Sequence, residues 1–479
     1  MRVRLRLRRV LPLIWVVFVM ASFLAVSSAG AAAEEKRFGQ EILEILHDEG
    51  KIDDDRYDAL LELEAAEHEA ARESGADRPE AYSVTYKNGL QFNRNDGWVK
   101  IKFGGRIQAD FATIHVDSAL TRAIDTQGTP LDPTDDSPIG GDGEGVEFRR
   151  TRLYVSGDLY NRIVFKSQVD FAGGGVSLKD QYVGMKNLPY VGTILVGHMK
   201  EPFSLEQLAS SNYITFMERS LPSILDSVRN FGVLFKNHYI ESRVTASAGI
   251  FALTGDDGEF FSRERDFNVS GRITGLPFYD KENHRLVHVG FSVVQRFADH
   301  AKGRIALRPE IHQAQKYLDT GKFETNGGTS IAAELAAIAG PFSVQTEWKN
   351  AWIDNLDGRD WEANSFYVEV SYFLTGESRS YKTTSGVFGR VTPLRSFDPA
   401  NGDWGAWQIA ARYSWIDLQD SGVDGGEEQN VTVGVNWHLY SNVRMQFNYT
   451  YADVADTGDV LSNASGDIHA FQTRLQIEF

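Results

Sequence analysis

From about Asn88 to the end of the chain, apolar and polar residues alternate with a period of two, the pattern of a strand with two unlike faces. The last stretch is the cleanest: Phe471, Thr473, Leu475, Ile477 and Phe479 share one face, and Gln472, Arg474, Gln476 and Glu478 the other. Val443, Met445, Phe447, Tyr449 and Tyr451 repeat it against Arg444, Gln446, Asn448 and Thr450. Ile409, Ala411, Tyr413 and Trp415 do so against Gln408, Ala410, Arg412 and Ser414. A soluble sandwich strand would also alternate, with its apolar face inside. The pattern predicts sixteen strands, at about 98–115, 146–159, 162–171, 176–186, 190–199, 231–237, 242–254, 265–275, 284–298, 328–338, 341–353, 361–374, 405–417, 429–438, 441–453 and 467–479. Short connections such as Tyr160-Asn161, Asn187-Leu188-Pro189, Gly340-Pro341 and Tyr440-Ser441-Asn442 alternate with long ones near 116–145, 200–230, 299–327, 418–428 and 454–466. That rhythm fits an antiparallel transmembrane β-barrel, with an even strand count and both termini periplasmic. The stretch 116–145 reads as a structureless surface loop. Residues 303–316 fall inside a large loop, and 375–404 become a long periplasmic connection.

The first 33 residues read as a signal peptide. Arg2, Arg4, Arg6, Arg8 and Arg9 precede an apolar run from Val10 to Val26, and Ala31-Ala32-Ala33 offers a cleavage site. A single transmembrane anchor is the alternative. Beyond residue 33 no apolar run approaches the ~18 residues of a spanning helix, so a mature chain held in the membrane must span it as a barrel. Residues 34–80 form a separate segment. Two short helices are expected around Asp48-Glu49-Gly50-Lys51, then a linker from Ser74; a periplasmic tether or trimerising element is the expected role, a solvated amphipathic tail the alternative. Residues 81–479 form the barrel domain.

Composition agrees. The 479 residues include no cysteine, which removes disulfides and thiolate metal sites, while 44 glycines and 12% aromatics suit a barrel. The net charge is −17, and residues 34–80 hold 17 acidic against 6 basic side chains. Such acidity disfavours nucleic acid. It does not fix the charge of a lumen, which depends on the inward face alone. Lumen-facing positions give fourteen basic residues: Lys100, Lys102, Arg106, Arg150, Arg152, Lys166, Lys179, Arg243, Arg272, Arg296, Lys349, Arg412, Arg444 and Arg474. The eight acidic ones are Asp110, Asp158, Asp170, Asp266, Glu334, Glu347, Glu369 and Glu478. Basic walls favour anions, and the arginine fork suits phosphate. The alternative is that these arginines brace the wall against carboxylates, above all Arg412, Arg444 and Arg474.

Long segments carry a family resemblance. "FGGRIQADF" (103–111), "EFRRTRLYVSGDLYNRIVFKSQVDFAGG" (147–174), "GHMKEPFSLEQLASSNYITFMERSLP" (197–222), "RNFGV" (229–233), "GPFSVQTEW" (340–348), "SYFLTGESRSY" (371–381) and "GAWQIAARYSWIDL" (405–418) resemble the phosphate- and polyphosphate-selective porins O and P. The resemblance implies a homotrimer of sixteen-stranded barrels in the bacterial outer membrane. It also implies a third loop folded inward and a passage lined by basic residues. On that reading the loop 200–230 narrows the pore, with Lys200, Arg219 and Arg229 as its cations. Four acidic residues, Glu201, Glu206, Glu218 and Asp226, nearly balance them, which departs from a strongly phosphate-specific constriction. Phe479, a terminal aromatic on the lipid face, is the expected signal to the outer-membrane barrel assembly machinery.

Other chemistry is weakly supported. No GxSxG turn and no His-x-x-x-His pair on a predicted helix occurs, so an enzyme is not expected. Asp132, Asp135, Asp136, Asp142 and Glu144 match no calcium-loop spacing and read as solvated surface. The expectation is a passive, cofactor-free channel for small anions, phosphate or polyphosphate-like. A general or weakly cation-preferring diffusion porin and a structural envelope-tethering barrel are the alternatives.

Overall fold

The computed structural model describes Tyr57 and residues 81–126, 141–254, 266–356 and 358–479. The signal segment, the expected helices, the linker before residue 81 and Asp132, Asp135 and Asp136 lie outside the described residues. Two short strands, Tyr82–Tyr86 and Leu90–Arg94, come first, and Arg94 donates to Asp96 at 2.8 Å beside them.

Sixteen antiparallel strands then form one closed sheet. They are β1 Val99–Val116, β2 Gly143–Leu159, β3 Ile163–Asp170, β4 Ser177–Leu188, β5 Gly192–Lys200, β6 Arg229–Tyr239, β7 Val244–Ala252 and β8 Phe267–Asp280. β9 Arg285–Gly303, β10 Phe323–Ala339, β11 Phe342–Asn355, β12 Trp361–Phe373, β13 Ala406–Asp420, β14 Val423–Tyr440, β15 Val443–Asp456 and β16 Gly466–Glu478 complete it. The last strand closes on the first, in register from Ile468↔Val116 to Glu478↔Arg106. Closure removes every sheet edge, as hydrocarbon demands. Alternation supplies the rest: Phe471, Leu475 and Ile477 are exposed on the outside, while Gln472, Arg474 and Gln476 are buried on the inside.

All sixteen expected strands are present, with changed ends. The expected long loop 418–428 is strand. β13 and β14 run to a two-residue turn, Ser421 (φ 50°) and Gly422 (φ 96°), the positive-φ pair that a tight hairpin requires. The stretch 116–145 is not wholly structureless, because Ser118–Thr126 forms a helix, α1. Its Leu120 is fully buried with Ile114 and Ile468.

Among the described residues, three connections enter the barrel. The third loop, residues 201–228, holds a short helix, α2 Leu205–Leu208. It runs along the inner wall of β9 to β16 and β1. Ser204 N donates to Ser292 at 3.2 Å, and Arg412 donates to Glu218 O at 3.1 Å. Asn436 donates to Thr215 O at 2.9 Å, and Arg444 to Ile214 O at 2.9 Å. The loop 304–322 fills the extracellular half of the same side: Ile311, Tyr317 and Leu318 form an apolar core with Ile416, Val454 and Ile468. The connection 374–405 carries a small hairpin, Tyr381–Lys382 with Val387–Phe388. It turns inward, where Val387 and Phe388 pack on Leu205, Leu276 and Ala336.

Candidate functional site

What these insertions leave open is an eccentric passage along β1 to β8. Its main cavity, about 440 Å³, is lined by ten cationic residues: Arg106, Arg150, Arg152, Lys166, Lys200, Arg219, Arg229, Lys236, Arg272 and Lys382. Asp180 is the one carboxylate among the lining residues. A vestibule of about 420 Å³ shares Arg150, Gln207 and Arg219 with this cavity and adds Arg149, Arg308, His312 and Lys316.

The ten cations fall into two groups. Five have a carboxylate. Arg152 donates to Asp170 at 2.6 Å, Arg229 reaches Asp180 at 2.7 Å, and Lys166 shares Asp180 at 2.5 Å. Arg272 forms a two-pronged pair with Glu334 at 2.8 and 2.6 Å. Arg150 reaches Glu218 at 3.4 Å and donates to Gln108 at 2.9 Å. Among the described residues the other five have no carboxylate partner. Arg106 donates to the Ser211 hydroxyl at 2.8 Å. Lys200 and Arg219 donate to the carbonyls of Gln207 and Ala209, Arg219 to Ala209 O at 3.0 Å. Lys236 is exposed to the passage, and Lys382 lies 5.2 Å from the Tyr213 ring centre.

Glu218 is the electrostatic hinge of the third loop. It accepts from Arg149 at 2.9 and 3.0 Å and from Arg474 at 2.8 Å. Burial alone would raise its pKa, but Arg149, Arg150 and Arg474 together outweigh that and hold it well below the usual carboxylate range. Burial lowers the pKa of Arg219, against Glu206 and Asp226. Desolvation also lowers Lys382, partly offset by Glu478.

The expected site residues do not all meet here. Arg106, Arg150, Arg152, Lys166, Arg272, Lys200, Arg219 and Arg229 line the cavity. Lys200 does so as the last residue of β5 and Arg229 as the first residue of β6, so of the three only Arg219 comes from the loop. Lys100 and Lys102 belong to β1 outside the cavity, Lys102 5.8 Å from the Tyr154 ring centre. Arg243 is not on a lumen face. Ile240, Glu241 and Ser242, all at positive φ, extend the turn, and Arg243 is exposed within it. Lys179 does not line the cavity either. Ser167 pairs with Gln181 but Val169 with Leu178, so β4 carries one extra residue, and Asp180 faces the lumen instead.

Arg296 is exposed on β9. Lys349, Arg412, Arg444 and Arg474 are buried braces under the third loop. Lys349 holds Asp226, Arg412 holds Glu310 at 2.5 Å, and Arg474 grips Asp110 at 2.7 and 2.6 Å. Asp158 pairs with Lys186 rather than with an arginine. Glu347 accepts from the backbone N–H groups of Leu205 and Glu206 at 2.9 and 2.8 Å. Glu369 holds Arg379 at 3.1 Å and Glu478 holds Arg390 at 2.5 Å. Asp266 accepts from Asp299 N at 3.2 Å.

Arg149, Lys236 and Lys382 were missed. Arg149 and Arg150 are consecutive, yet both reach Glu218, which strict alternation along a regular strand does not predict. Lys236 is absent from the expected lumen-facing set. Lys382 sits on a periplasmic connection with no periodic pattern to place it.

Comparison with known proteins identifies the family. The family described as phosphate-selective porin O and P matches residues 131–479. Porin O of Pseudomonas aeruginosa is 26% identical over 436 residues, covering 83% of this chain and 92% of that protein. An uncharacterised protein of Caulobacter vibrioides is 26% identical over 416 residues, covering 83% and 77%. Among solved structures, an anion-selective porin from Comamonas acidovorans aligns with a TM-score of 0.48 at 12% identity, covering 80% of this chain and all of that one. The porins of the matched family are channels rather than enzymes. The chain belongs to the phosphate-selective porin O and P family, whose barrels are channels of the bacterial outer membrane.

Proposed function

We propose that this barrel is a passive, anion-preferring channel that guides phosphate or polyphosphate-like anions, and that it works as a homotrimer. The observation that carries the reading is the group of five lining cations without a carboxylate partner: Arg106, Lys200, Arg219, Lys236 and Lys382. Paired cations are close to neutral at a distance. Unpaired ones leave a positive potential that draws anions in and repels cations. Ser210, Ser211, Thr384 and Ser385 line the same cavity and add hydroxyl donors. A tetrahedral oxyanion can accept from several lysines, arginines and hydroxyls at once, whereas chloride has no comparable directional demand.

The test is a planar-bilayer recording. The zero-current potential in a potassium chloride gradient should report anion preference, and added phosphate should reduce chloride current saturably. A zero-current potential of cation sign, or chloride current indifferent to phosphate, would sink this reading. Crosslinking of the protein in outer membranes should trap trimers, and monomers alone would remove the assembly from it.

A further inference from the structure

The largest set of unmet polar atoms lies away from the passage, between the loop 304–322 and β14. The two run alongside each other. Glu310 accepts from Thr432 at 3.1 Å at one end, and Leu318 packs on Gly426 at the other. Between these anchors the inward positions of β14 are Glu428 and Asn430, and the loop contributes Gln313 and Tyr317. All four are buried, at 0%, 1%, 6% and 0% exposure. Neither oxygen of Glu428, neither side-chain polar atom of Asn430 or Gln313, and not the Tyr317 hydroxyl has a well-formed hydrogen bond among the described residues, and the Asn430 amide is the one side chain near enough to donate to Glu428. Glu428 pairs across the sheet with Ile416 and Val454, both fully buried and apolar. The neighbouring carboxylate, Glu310, is already satisfied by Arg412, Ser414, Thr432 and the Leu221 N–H.

A buried carboxylate with no cation beside it and at most one amide to donate to it is expensive, and unmet buried polar groups are exceptional in folded proteins. Here they gather on one short stretch of two facing segments. A proton on Glu428 would remove its charge but leave the amide and phenol oxygens unmet. A cation would answer all of them. The oxygens are hard donors: two from Glu428 and one each from Asn430, Gln313 and Tyr317, with no sulfur or imidazole among them. Such a set selects an oxygen-seeking metal ion.

We propose that Glu428, Asn430, Gln313 and Tyr317 form a calcium site that pins the loop 304–322 to β14. The site sits next to the hairpin turn Ser421–Gly422, at the end of the barrel where that loop emerges. One carboxylate gives little charge, so affinity falls at the weak end for calcium, a Kd of about 10⁻⁴–10⁻³ M. The site is independent of the anion pathway and of its permeant.

The experiment uses the detergent-folded full barrel. Terbium should show luminescence sensitised by Tyr317, displaced by calcium in the millimolar range. The melting temperature should rise with calcium over the same range and fall back with a chelator. Glu428→Gln, nearly isosteric with a protonated glutamate, should abolish both responses and keep the fold. Gln313→Leu, on the loop side, should weaken calcium about tenfold. Wild-type protein that ignores both ions overturns the site. So does a calcium response that persists in Glu428→Gln, because the ion then binds elsewhere.

Discussion

Arg106 lines the cavity with no carboxylate partner among the described residues, and its contact at 2.8 Å is with the neutral Ser211 hydroxyl. Arg106→Gln therefore removes a full charge from the passage and unpairs no acid. A permeating anion about 4 Å from that guanidinium gains about 1 kcal/mol in a water-like medium and about 4 kcal/mol at an effective dielectric of 20. The lumen is wet, so the lower value applies. A passing cation is repelled by a similar amount, and the substitution should lower the anion-over-cation permeability ratio by about 5- to 30-fold. Two controls separate charge from structure. Ser211→Ala breaks the contact with the loop but keeps the charge, and should leave the ratio unchanged. Arg152→Gln with Asp170→Asn removes a partnered cation together with its acid, found at 2.6 Å, and should change the ratio less than twofold. The readout is the zero-current potential in a potassium chloride gradient, at low and high salt. An Arg106→Gln channel that keeps its ratio, beside a paired double variant that loses it, would refute the division into free and partnered cations.

Arg150→Ala combined with Arg152→Ala should lower both the melting temperature and the anion preference, because Asp170 loses its arginine and Glu218 one of three; an unchanged melting temperature would remove the bracing role. Glu218 is held below its ordinary pKa, so its contribution to stability is full above pH ~4.5 and declines as the pH falls below that. Thermal melts from pH 6 to 3 should show this decline, and Glu218→Gln, less stable at pH 6, should flatten it; equal slopes would contradict the assignment. Phe479→Asp should sharply reduce outer-membrane levels. Its direct cost near the interface is only ~0–1 kcal/mol, so a large loss reports failed assembly, and normal levels would rule out the signal. Gly105→Val should impair the same step, because a Cβ there would lie 2.7 Å from the Phe479 ring and 2.6 Å from the Arg152 carbonyl; wild-type levels would show that this contact is dispensable.

The barrel was legible because a lipid-facing strand must alternate, and few substitutions can hide that. Legibility failed where the alternation was locally broken or not required. The extra residue at Lys179–Asp180 swaps which of the two faces the lumen, and neither side chain marks the bulge. The Arg149–Arg150 pair is the same failure seen from the other side: alternation allowed only one of them inward. The run 418–428 is too polar for a lipid-facing strand, so its pattern predicts a loop. Yet both strands continue through it, and beyond the bilayer a strand has no need of an apolar face. The inward course of 374–405 could not be read at all. What places it is a set of long-range contacts, such as Arg272 donating to Gly386 O at 2.8 Å and Arg390 meeting Glu478, that no local pattern encodes.

The same insertions explain how an acidic protein holds an anion path. The third loop and the loop 304–322 occupy the β9 to β16 side, and the arginines there are taken. Arg412 lies on Glu310, Arg474 on Asp110 and Glu218, and Arg444 on the Ile214 carbonyl. A buried carboxylate of this kind cancels its arginine and is tied down by it, so it adds little to the field elsewhere. Among the described residues the β1 to β8 side has no inserted core, and there five cations have no carboxylate partner. Net charge over the whole chain therefore says little about the passage. What decides the sign of the permeant is where the loops have used up the carboxylates, and they have used them on the wall that the solute does not follow.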